Sequence, residues 1–349
     1  MQELIEKLEQ EHRLSREEWE RLLAGRTKEL AEMVFARARV VRDREYGKKI
    51  FIRGLIECSN FCKNDCYYCG IRRSNGNASR YRLDKEQILL CCREGYRLGF
   101  RTFVLQGGED PFLTDDRVEA IVSAIKEEFP DCAVTLSLGE KERASYQRFF
   151  DAGADRYLLR HETADAAHYG RLHPEEMSCA HRLQCLHDLK EIGFQTGCGF
   201  MVGSPGQRTD CLAKDMELIQ EFQPQMVGIG PFIPQHDTPF RDEPAGTLEQ
   251  TLYLLGLLRL MLPRVLLPAT TALGTITQGG RELGILAGAN VVMPNLSPAG
   301  VREKYLLYDN KISTGAEAAE SLNLLKESMA AIGYQVVVDR GDYKAAGPV

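Results

Sequence analysis

The sequence predicts an α/β protein: a (β/α)8 barrel of the TIM type with an N-terminal helical extension. Three observations carry this. Eight short β-rich runs recur along the chain, at 50–57, 102–106, 133–138, 156–160, 195–202, 226–230, 265–269 and 290–293. Amphipathic stretches with helix signals separate most of them, the pattern of βαβ units and a parallel sheet. The series spans roughly 250 residues, the usual size of such a barrel. A doubly wound open sheet is the alternative.

Residues 1–46 read as a polar helical extension. Ser15-Arg16-Glu17-Glu18 is a capping-box pattern, with Trp19, Leu22 and Leu23 at helical spacing behind it. This extension should close the bottom of the barrel or pack on its side. Residues 47–310 then form the barrel. Between its first two runs, Asp84-Lys85-Glu86-Gln87 opens a helix that continues through Ile88, Leu89, Cys91, Cys92 and Leu98. Helices are also expected over 116–129 and 183–192. Residues 311–349 form a C-terminal segment packed on the barrel, with a mobile tail from about Asp339.

Barrel chemistry lies at the C-terminal ends of the strands, so functional residues should directly follow the runs. Cys58-Ser59-Asn60-Phe61-Cys62 follows the first and Gly107-Gly108-Glu109-Asp110 the second. Ser137-Leu138-Gly139-Glu140 ends the third, and Arg160-His161-Glu162-Thr163 the fourth. Gly203 to Gln207 follows the fifth, Gly228-Ile229-Gly230-Pro231 ends the sixth, Thr270-Thr271 follows the seventh and Pro294-Asn295 the eighth. Loops of this kind are often glycine-rich and polar without function, but that accounts poorly for all eight.

The chain has 349 residues, 44% hydrophobic and 27% charged, with a net charge of −6. No general basic field invites nucleic acid or anionic lipid. The longest apolar runs fall far short of a membrane span, and the N-terminal segment lacks an apolar signal region. There are eleven cysteines. That is an odd number without a secretion signal, so a cytoplasmic chain with free thiols or a metal site is expected.

Four of the eleven fall within residues 58–69. Cys62-Lys63-Asn64-Asp65-Cys66-Tyr67-Tyr68-Cys69 has the spacing C-x3-C-x2-C, and only Cys62, Cys66 and Cys69 fit it. Three thiolates on a tight loop can ligate three irons of a cubane cluster and leave the fourth iron open, whereas ordinary cluster and zinc sites use four protein ligands. Tyr68 would shield such a cluster from water. A zinc knuckle with a distant fourth ligand, or three unrelated buried thiols, also suits the spacing. Cys91, Cys92, Cys179, Cys185 and Cys211 fall on helical stretches, where cysteine is commonly a small buried hydrophobe. Cys58 may pack beside the motif and Cys198 may face the lumen.

With its place after the first run, this motif resembles that of the radical S-adenosylmethionine (SAM) enzymes. Over residues 50–310 the chain is similar to the HydE family, the radical SAM maturases of [FeFe]-hydrogenase. The carrying segments are IECSNFCKNDCYYCGIRRSN, VLQGGEDP, VTLSLGE, AGADRYLLRHETA, MVGSPGQ, MVGIGPFIP with HDTP, and PATTALGT, in that order. The resemblance implies one site-differentiated [4Fe-4S] cluster held by Cys62, Cys66 and Cys69, and SAM bound on its open iron and cleaved to a 5′-deoxyadenosyl radical. It implies that Gln106, Gly107, Gly108 and Glu109 meet the methionine ammonium, that Ser137 and Glu162 contact the ribose and amino end, and that Arg182 pairs with the carboxylate. Met201 and Ile229 would pack on the adenine, with the backbone of residue 229 hydrogen-bonding it; ordinary barrel core is the rival reading of both. Arg160, Thr270 and Thr271 resemble an anion-binding group at the inner end of the cavity. Tyr305 and Tyr308, on one helical face, resemble a tyrosine pair of the lower cavity. His161 either contacts substrate or completes a hydrogen-bond network, the latter being favoured, and His236 and Asp237 receive no role.

The implied function is maturation of the hydrogenase di-iron subcluster. The substrate would be an iron–cysteine complex carrying CO and cyanide, supplied by another radical SAM maturase (HydG). The product would pass to a scaffold GTPase (HydF), and an external one-electron reductant would feed the cluster. No cysteine follows Cys211, so a second C-terminal cluster is not expected. Methylornithine synthase and biotin synthase are the rival members of the superfamily. Biotin synthase needs an additional [2Fe-2S] cluster on barrel cysteines; Cys132 and Cys198 are available, but the second run carries none. A zinc-stabilised binding barrel without redox chemistry is the rival from another class.

Overall fold

The computed structural model describes residues 1–312 and 318–345. Eleven strands appear among them: β1 (Lys49–Ile52), β2 (Gly54–Ser59), β3 (Thr102–Gly107), β4 (Ala133–Ser137), β5 (Arg156–Leu158), β6 (Gln195–Cys198), β7 (Met201–Val202), β8 (Met226–Val227), β9 (Gly230–Pro231), β10 (Val291–Val292) and β11 (Gln335–Val337). The helices are α1 (Gln2–Glu11), α2 (Arg16–Ala24), α3 (Lys28–Tyr46), α4 (Lys85–Arg97), α5 (Asp115–Glu128), α6 (Arg143–Asp151), α7 (Ala166–Leu172), α8 (Cys179–Ile192), α9 (Thr209–Phe222), α10 (Leu248–Met261), α11 (Thr271–Ile276), α12 (Gly280–Leu286), α13 (Ala299–Arg302) and α14 (Ala318–Ala331).

Strands β2, β3, β4, β5, β6 and β8 form one parallel sheet in that order. Met226 then bridges Leu266, Pro268 bridges Val291, and Leu55 bridges Asn295, so the eight predicted runs close on one another. The barrel is the fold. Its strands are buried on both faces, as parallel sheets require. Phe103, Leu105, Val134, Leu136 and Tyr157 are buried in the main hydrophobic core, while alternate positions face the lumen.

One run departs from expectation. Residues 50–57 were read as a single strand, but pairing changes at Arg53. Phe51 and Ile52 pair with Val291 and Val292, while Gly54 onward pairs with β3. Strands in a closed barrel are tilted and staggered, so the lower half of this run lies beside β10 and the upper half beside β3. β11 adds to the free edge of β1. The fifth and sixth runs continue past a break as β7 and β9, which pair with each other.

The helical extension lies against the barrel's side, with α2 against α9 and α3 against α10. The predicted capping box is present: Ser15 Oγ accepts from Glu18 N–H, and the Glu18 carboxylate accepts from Ser15 N–H. Trp19, Leu22 and Val34 are fully buried by this packing. The lower mouth of the barrel is crossed instead by residues 339–345, the start of the segment read as a mobile tail. Arg340 pairs with Asp155 at 2.9 Å and with Asp342 at 2.8 Å. Asp342 meets Arg156 of β5 at 2.5 Å, and Thr102 of β3 donates to the Arg340 carbonyl at 2.8 Å. Residues 346–349 of that segment lie outside the described residues. Among the described residues, no helix is long and apolar enough to cross a membrane.

Candidate active site

The upper mouth of the barrel opens into a cavity of 330 Å³ that runs from the cysteine loop down to polar groups inside the lumen. This is within the range of small-ligand pockets. The loop between β2 and α4 forms its rim and brings Cys62, Cys66 and Cys69 to it, each half-buried. The loop is held by its own hydrogen bonds. Lys63 N–H donates to the Glu109 carbonyl at 2.9 Å, Tyr67 N–H to Leu172 at 3.0 Å and Gly70 N–H to Leu307 at 3.0 Å. The Arg80 guanidinium donates to the carbonyls of Ile71, Arg72 and Asn75 at 2.9, 2.6 and 3.1 Å, and to that of Asn60. Asp65 accepts from Arg72 at 2.7 Å and from Ser74, which holds its carboxyl well below the usual range.

The three thiols fit a cluster better than a single ion. Among the described residues, one group of three metal-ligating side chains brings its donor atoms within 4.8 Å of one another, and it is Asp165, Asp210 and Cys211, not the loop. A tetrahedral zinc with ~2.3 Å bonds needs its sulfurs about 3.8 Å apart; a cubane places each sulfur on a separate iron and needs a wider spread. Burial pushes all three thiols up, Cys69 to about 12. Thiolates form there only when a bound cation replaces the protons. The Asp165 group is already neutralised by Lys214 at 2.5 Å and Arg208 at 2.6 Å. Tyr68 covers the loop's inner side. Its hydroxyl lies 3.1 Å from His173 Nε2, and His173 Nδ1 donates to the Tyr169 carbonyl at 3.0 Å.

The second wall is the end of β3. Gln106, Gly107, Gly108 and Glu109 all line the cavity. Gly108 was expected to let the backbone approach a ligand; its closest neighbour is the cysteine loop. A Cβ there would collide with the Phe61 carbonyl oxygen and sit 2.8 Å from Cys62 Cβ. Glu109 is buried; its Oε1 accepts from Glu140 N–H at 3.0 Å, and Lys63 lies 3.3 Å from Oε2. Arg182 reaches the same place from α8. It lies 2.7 Å from Glu140 and 4.0 Å from Glu109, so two carboxylates of the chain already face this cation. Its Nε has no aligned hydrogen-bond partner. Glu140 was passed over in the sequence, where it reads as an ordinary charge in a turn.

Ser137 faces the cavity beside Gln106, its register partner. Glu162 projects in from the end of the fourth run, 3.0 Å from Arg160 Nη2. Met201 lines the wall with Phe232. Ile229 does not. Its side chain is fully buried in the main core, and Gly230 and Pro231 line the cavity beside it. At the inner end stand Arg160, Thr270 and Thr271. Arg160 Nη2 faces the Glu162 carboxylate without an aligned hydrogen bond, while Arg160 Nε and Thr270 Oγ1 are buried with no hydrogen-bond partner among the described residues, which leaves these two for whatever fills the cavity.

Tyr305 and Tyr308 also reach the cavity, but not from a shared helical face. α13 ends at Arg302, and residues 303–312 run as an irregular strap over the mouth. Backbone groups needed for a helix are used across the strap: the Leu307 carbonyl accepts from Gly70, and Asp309 N–H donates to Pro234. Tyr305 O–H lies 3.4 Å from Gln106 Nε2. The strap carries Lys311 to Glu57, a fully buried carboxylate that also accepts from Asn295 at 2.9 Å. Sequence reasoning missed this pair. A carboxylate ending an apolar run was the available signal for Glu57; nothing marked Lys311.

His161 sits in a buried network with Gly199 and Asp215, as read. His236 pairs with Asp309 of the strap at 2.6 Å. Cys58 packs in the core near Cys91, and both are pushed up by burial. Cys198 feels Asp215 and Lys190 of the outer helices, and neither it nor Cys132 lines the cavity.

Comparison with known proteins adds four findings. Residues 56–219 match the model of the Radical SAM superfamily. The "[FeFe] hydrogenase maturase subunit HydE" of Thermotoga maritima is 46% identical over 310 residues, covering 89% of this chain and 88% of the relative. The 3-methylornithine synthase of Methanosarcina barkeri is 31% identical over 296 residues, covering 83% and 82%. The crystal structure of methylornithine synthase (PylB) is similar with a TM-score of 0.84 at 27% identity, covering 96% of this chain and 97% of that one.

Proposed function

The chain belongs to the HydE family of the radical SAM superfamily, and from that membership we propose that it matures the di-iron subcluster of [FeFe]-hydrogenase by reductive cleavage of SAM. The observation that carries the reading is the cavity itself: three cysteines at its rim, and at its inner end the Arg160 guanidinium beside Glu162 with Arg160 Nε and the Thr270 hydroxyl lacking a hydrogen-bond partner among the described residues. Cys62, Cys66 and Cys69 would hold a single [4Fe-4S] cluster with one iron left open. The chemistry supplied when that cluster and SAM are bound is one-electron cleavage to methionine and a 5′-deoxyadenosyl radical.

The chain's own residues bind and orient. The carbonyls of Gly107 and Gly108, with Glu109, would accept from the methionine ammonium, and Arg182 would donate to its carboxylate in a charge-assisted pair. Glu162 and Ser137 would accept from ribose hydroxyls. Met201 would cover the adenine, with Gly230 and Pro231 rather than the Ile229 side chain completing that wall. Arg160, Thr270 and Thr271 would hold the anionic part of the substrate, with Tyr305 and Tyr308 beside them. Tyr68 and the strap exclude water, which protects a radical from quenching. The substrate on this reading is an iron–cysteine complex with CO and cyanide delivered by HydG. The product passes to HydF, and an external one-electron donor reduces the cluster.

Methylornithine synthase remains the rival, with its lower identity and high structural likeness. Against biotin synthase stands the absence of Cys132 and Cys198 from the cavity wall. The test is anaerobic incubation of the reconstituted, brown protein with dithionite and SAM. 5′-Deoxyadenosine should form, Cys66→Ser should abolish it, and iron should stand at about four atoms per chain. A colourless chain holding one zinc, or no 5′-deoxyadenosine under any reductant, would overturn the reading. Turnover of the HydG product, and not of lysine, would separate hydrogenase maturation from methylornithine synthesis.

A further inference from the structure

Glu162 stands in a conformation that needs external support. Its φ is +64°. The Thr163 N–H donates to the His161 carbonyl at 2.8 Å, which closes a three-residue turn around Glu162. A γ-turn with positive φ at its centre is the rare, strained form. Among the described residues, four other than glycine have positive φ: His12, Glu162, Gln223 and Asn310. His12 and Gln223 end helices, where this conformation is ordinary. Glu162 is the one that projects into the cavity, and strain at a functional position persists only when the surroundings over-determine it.

The surroundings do so through one carboxylate. Asp215 lies on the inner face of α9 and is fully buried. Its Oδ1 accepts from Ala164 N–H at 2.6 Å and lies 3.3 Å from His161 Nε2. It therefore holds the residue before Glu162 and the second residue after it. The other nitrogen of His161, Nδ1, accepts from Gly199 N–H at 3.3 Å, which places the imidazole proton on Nε2, facing Asp215. Gly199 in turn accepts from Glu162 N–H at 3.0 Å. Gly199 has φ +153°, and a Cβ there would meet the Gly228 backbone, so this partner strand admits no side chain. Asp215, His161 and Gly199 thus enclose the turn from outside while its one outward residue, Glu162, faces the cavity. Burying a carboxylate this completely is costly, and among the described residues its second oxygen, Oδ2, has no hydrogen-bond partner.

We propose that Asp215, acting through His161 and the Ala164 amide, is the positioning residue that aims the Glu162 carboxylate at SAM. The proposal rests on the SAM reading of the cavity. Neither Asp215 nor His161 touches the cavity, so neither is catalytic. A purely structural carboxylate would weaken the whole protein; a positioning one acts only when Glu162 can respond.

The experiment is a double-mutant cycle on the reconstituted holoprotein: wild type, Asp215→Asn, Glu162→Gln and the double variant. SAM affinity is read by calorimetry, and backbone exposure of residues 159–165 by hydrogen–deuterium exchange. Asp215→Asn should weaken SAM about tenfold and add less than about twofold in the Glu162→Gln background. Iron content should be unchanged, and exchange should rise within 159–165 ahead of other segments. An equal loss in both backgrounds, an unchanged affinity, or unchanged exchange in the turn would overturn the proposal. If wild-type holoprotein with a full cluster fails to bind SAM, the reading of the cavity fails, and the exchange arm still decides whether Asp215 fixes the turn. Should Asp215→Asn not fold, His161→Gln removes one of the two contacts and should show the same dependence on Glu162.

Discussion

Replacing Gly108 by alanine should empty the cysteine loop of iron while leaving the barrel folded. The backbone at 108 is not among the positive-φ positions, so alanine suffers no conformational penalty of its own. The penalty is contact. The new methyl carbon would collide first with the Phe61 carbonyl oxygen and would also lie 2.8 Å from Cys62 Cβ, against an optimal carbon–carbon separation of at least about 3.5 Å, so the backbone at Phe61 must move and Cys62 must retreat with it by at least about 0.7 Å. Metal–sulfur distances tolerate about 0.2 Å. The loop cannot follow as a body, because Lys63 is tied to the Glu109 carbonyl one residue beyond the substitution and Arg80 fixes four carbonyls behind it. Overpacking of this kind costs about 1–3 kcal/mol, which a barrel of this size survives. Iron and sulfide per chain should fall by at least about half, the tolerance in ligand distance being exceeded roughly threefold. Gly107→Ala is the control. Its methyl would meet the Ser59 carbonyl at 3.3 Å, a contact that a small shift relieves. If Gly108→Ala retains wild-type iron and SAM affinity, the close approach of the β3 end to the loop does not position Cys62, and the reasoning fails.

Three further outcomes are expected. Arg182→Met removes the guanidinium 2.7 Å from largely buried Glu140 and leaves Glu109 only Lys63, and should lower unfolding free energy by about 3 kcal/mol in urea; a wild-type midpoint would show that the two carboxylates do not depend on Arg182. His173 is buried, and desolvation pushes it down to about 3 from the usual 6.5. The unfolded chain therefore binds the extra proton first as pH falls below 6.5, so stability declines on acidification, by up to about 1.4 kcal/mol per pH unit from this group. His173→Gln should flatten that slope between pH 6.5 and 5, and identical slopes would refute the assignment. Cys198→Ala should keep full iron and 5′-deoxyadenosine formation, since Cys198 lies outside the cavity; loss of both would place a second sulfur ligand in the barrel.

Much of this was readable from residues alone because barrels separate their signals. Strands announce themselves as short β-rich runs, and every functional loop falls at the same end. Cys62, Cys66, Cys69, Gly107, Gly108 and Glu162 all stand directly after a run, and the cavity gathers them. What escaped depends on partners distant in sequence. Whether residues 50–57 pair once or twice depends on the barrel's stagger, which no local pattern encodes. Glu57 and Lys311 become a pair only when the strap crosses the mouth, and Tyr305 and Tyr308 are at helical spacing in a segment whose backbone bonds go elsewhere. The side chain of Ile229 faces the core, which the β-rich run 226–230 did not tell apart from the cavity face. That Arg182 also meets Glu140 and Glu109 of the chain depends on the loops after β3 and β4 converging on α8, which no local pattern shows.

The position of β1 between β10 and β11 has a consequence for how the protein comes to be folded. Its neighbours on both sides belong to the far part of the chain, and contacts such as Thr102 to Arg340 join residues 238 positions apart. During synthesis the first strand therefore emerges with neither edge covered, and must wait for most of the polypeptide before it can pair. Such long-range pairing makes folding slow and exposes strand edges meanwhile. The cysteine loop begins only a few residues after that strand. Its thiols pass the same interval unburied, open to oxidation and to stray metal ions, until the barrel closes beneath them.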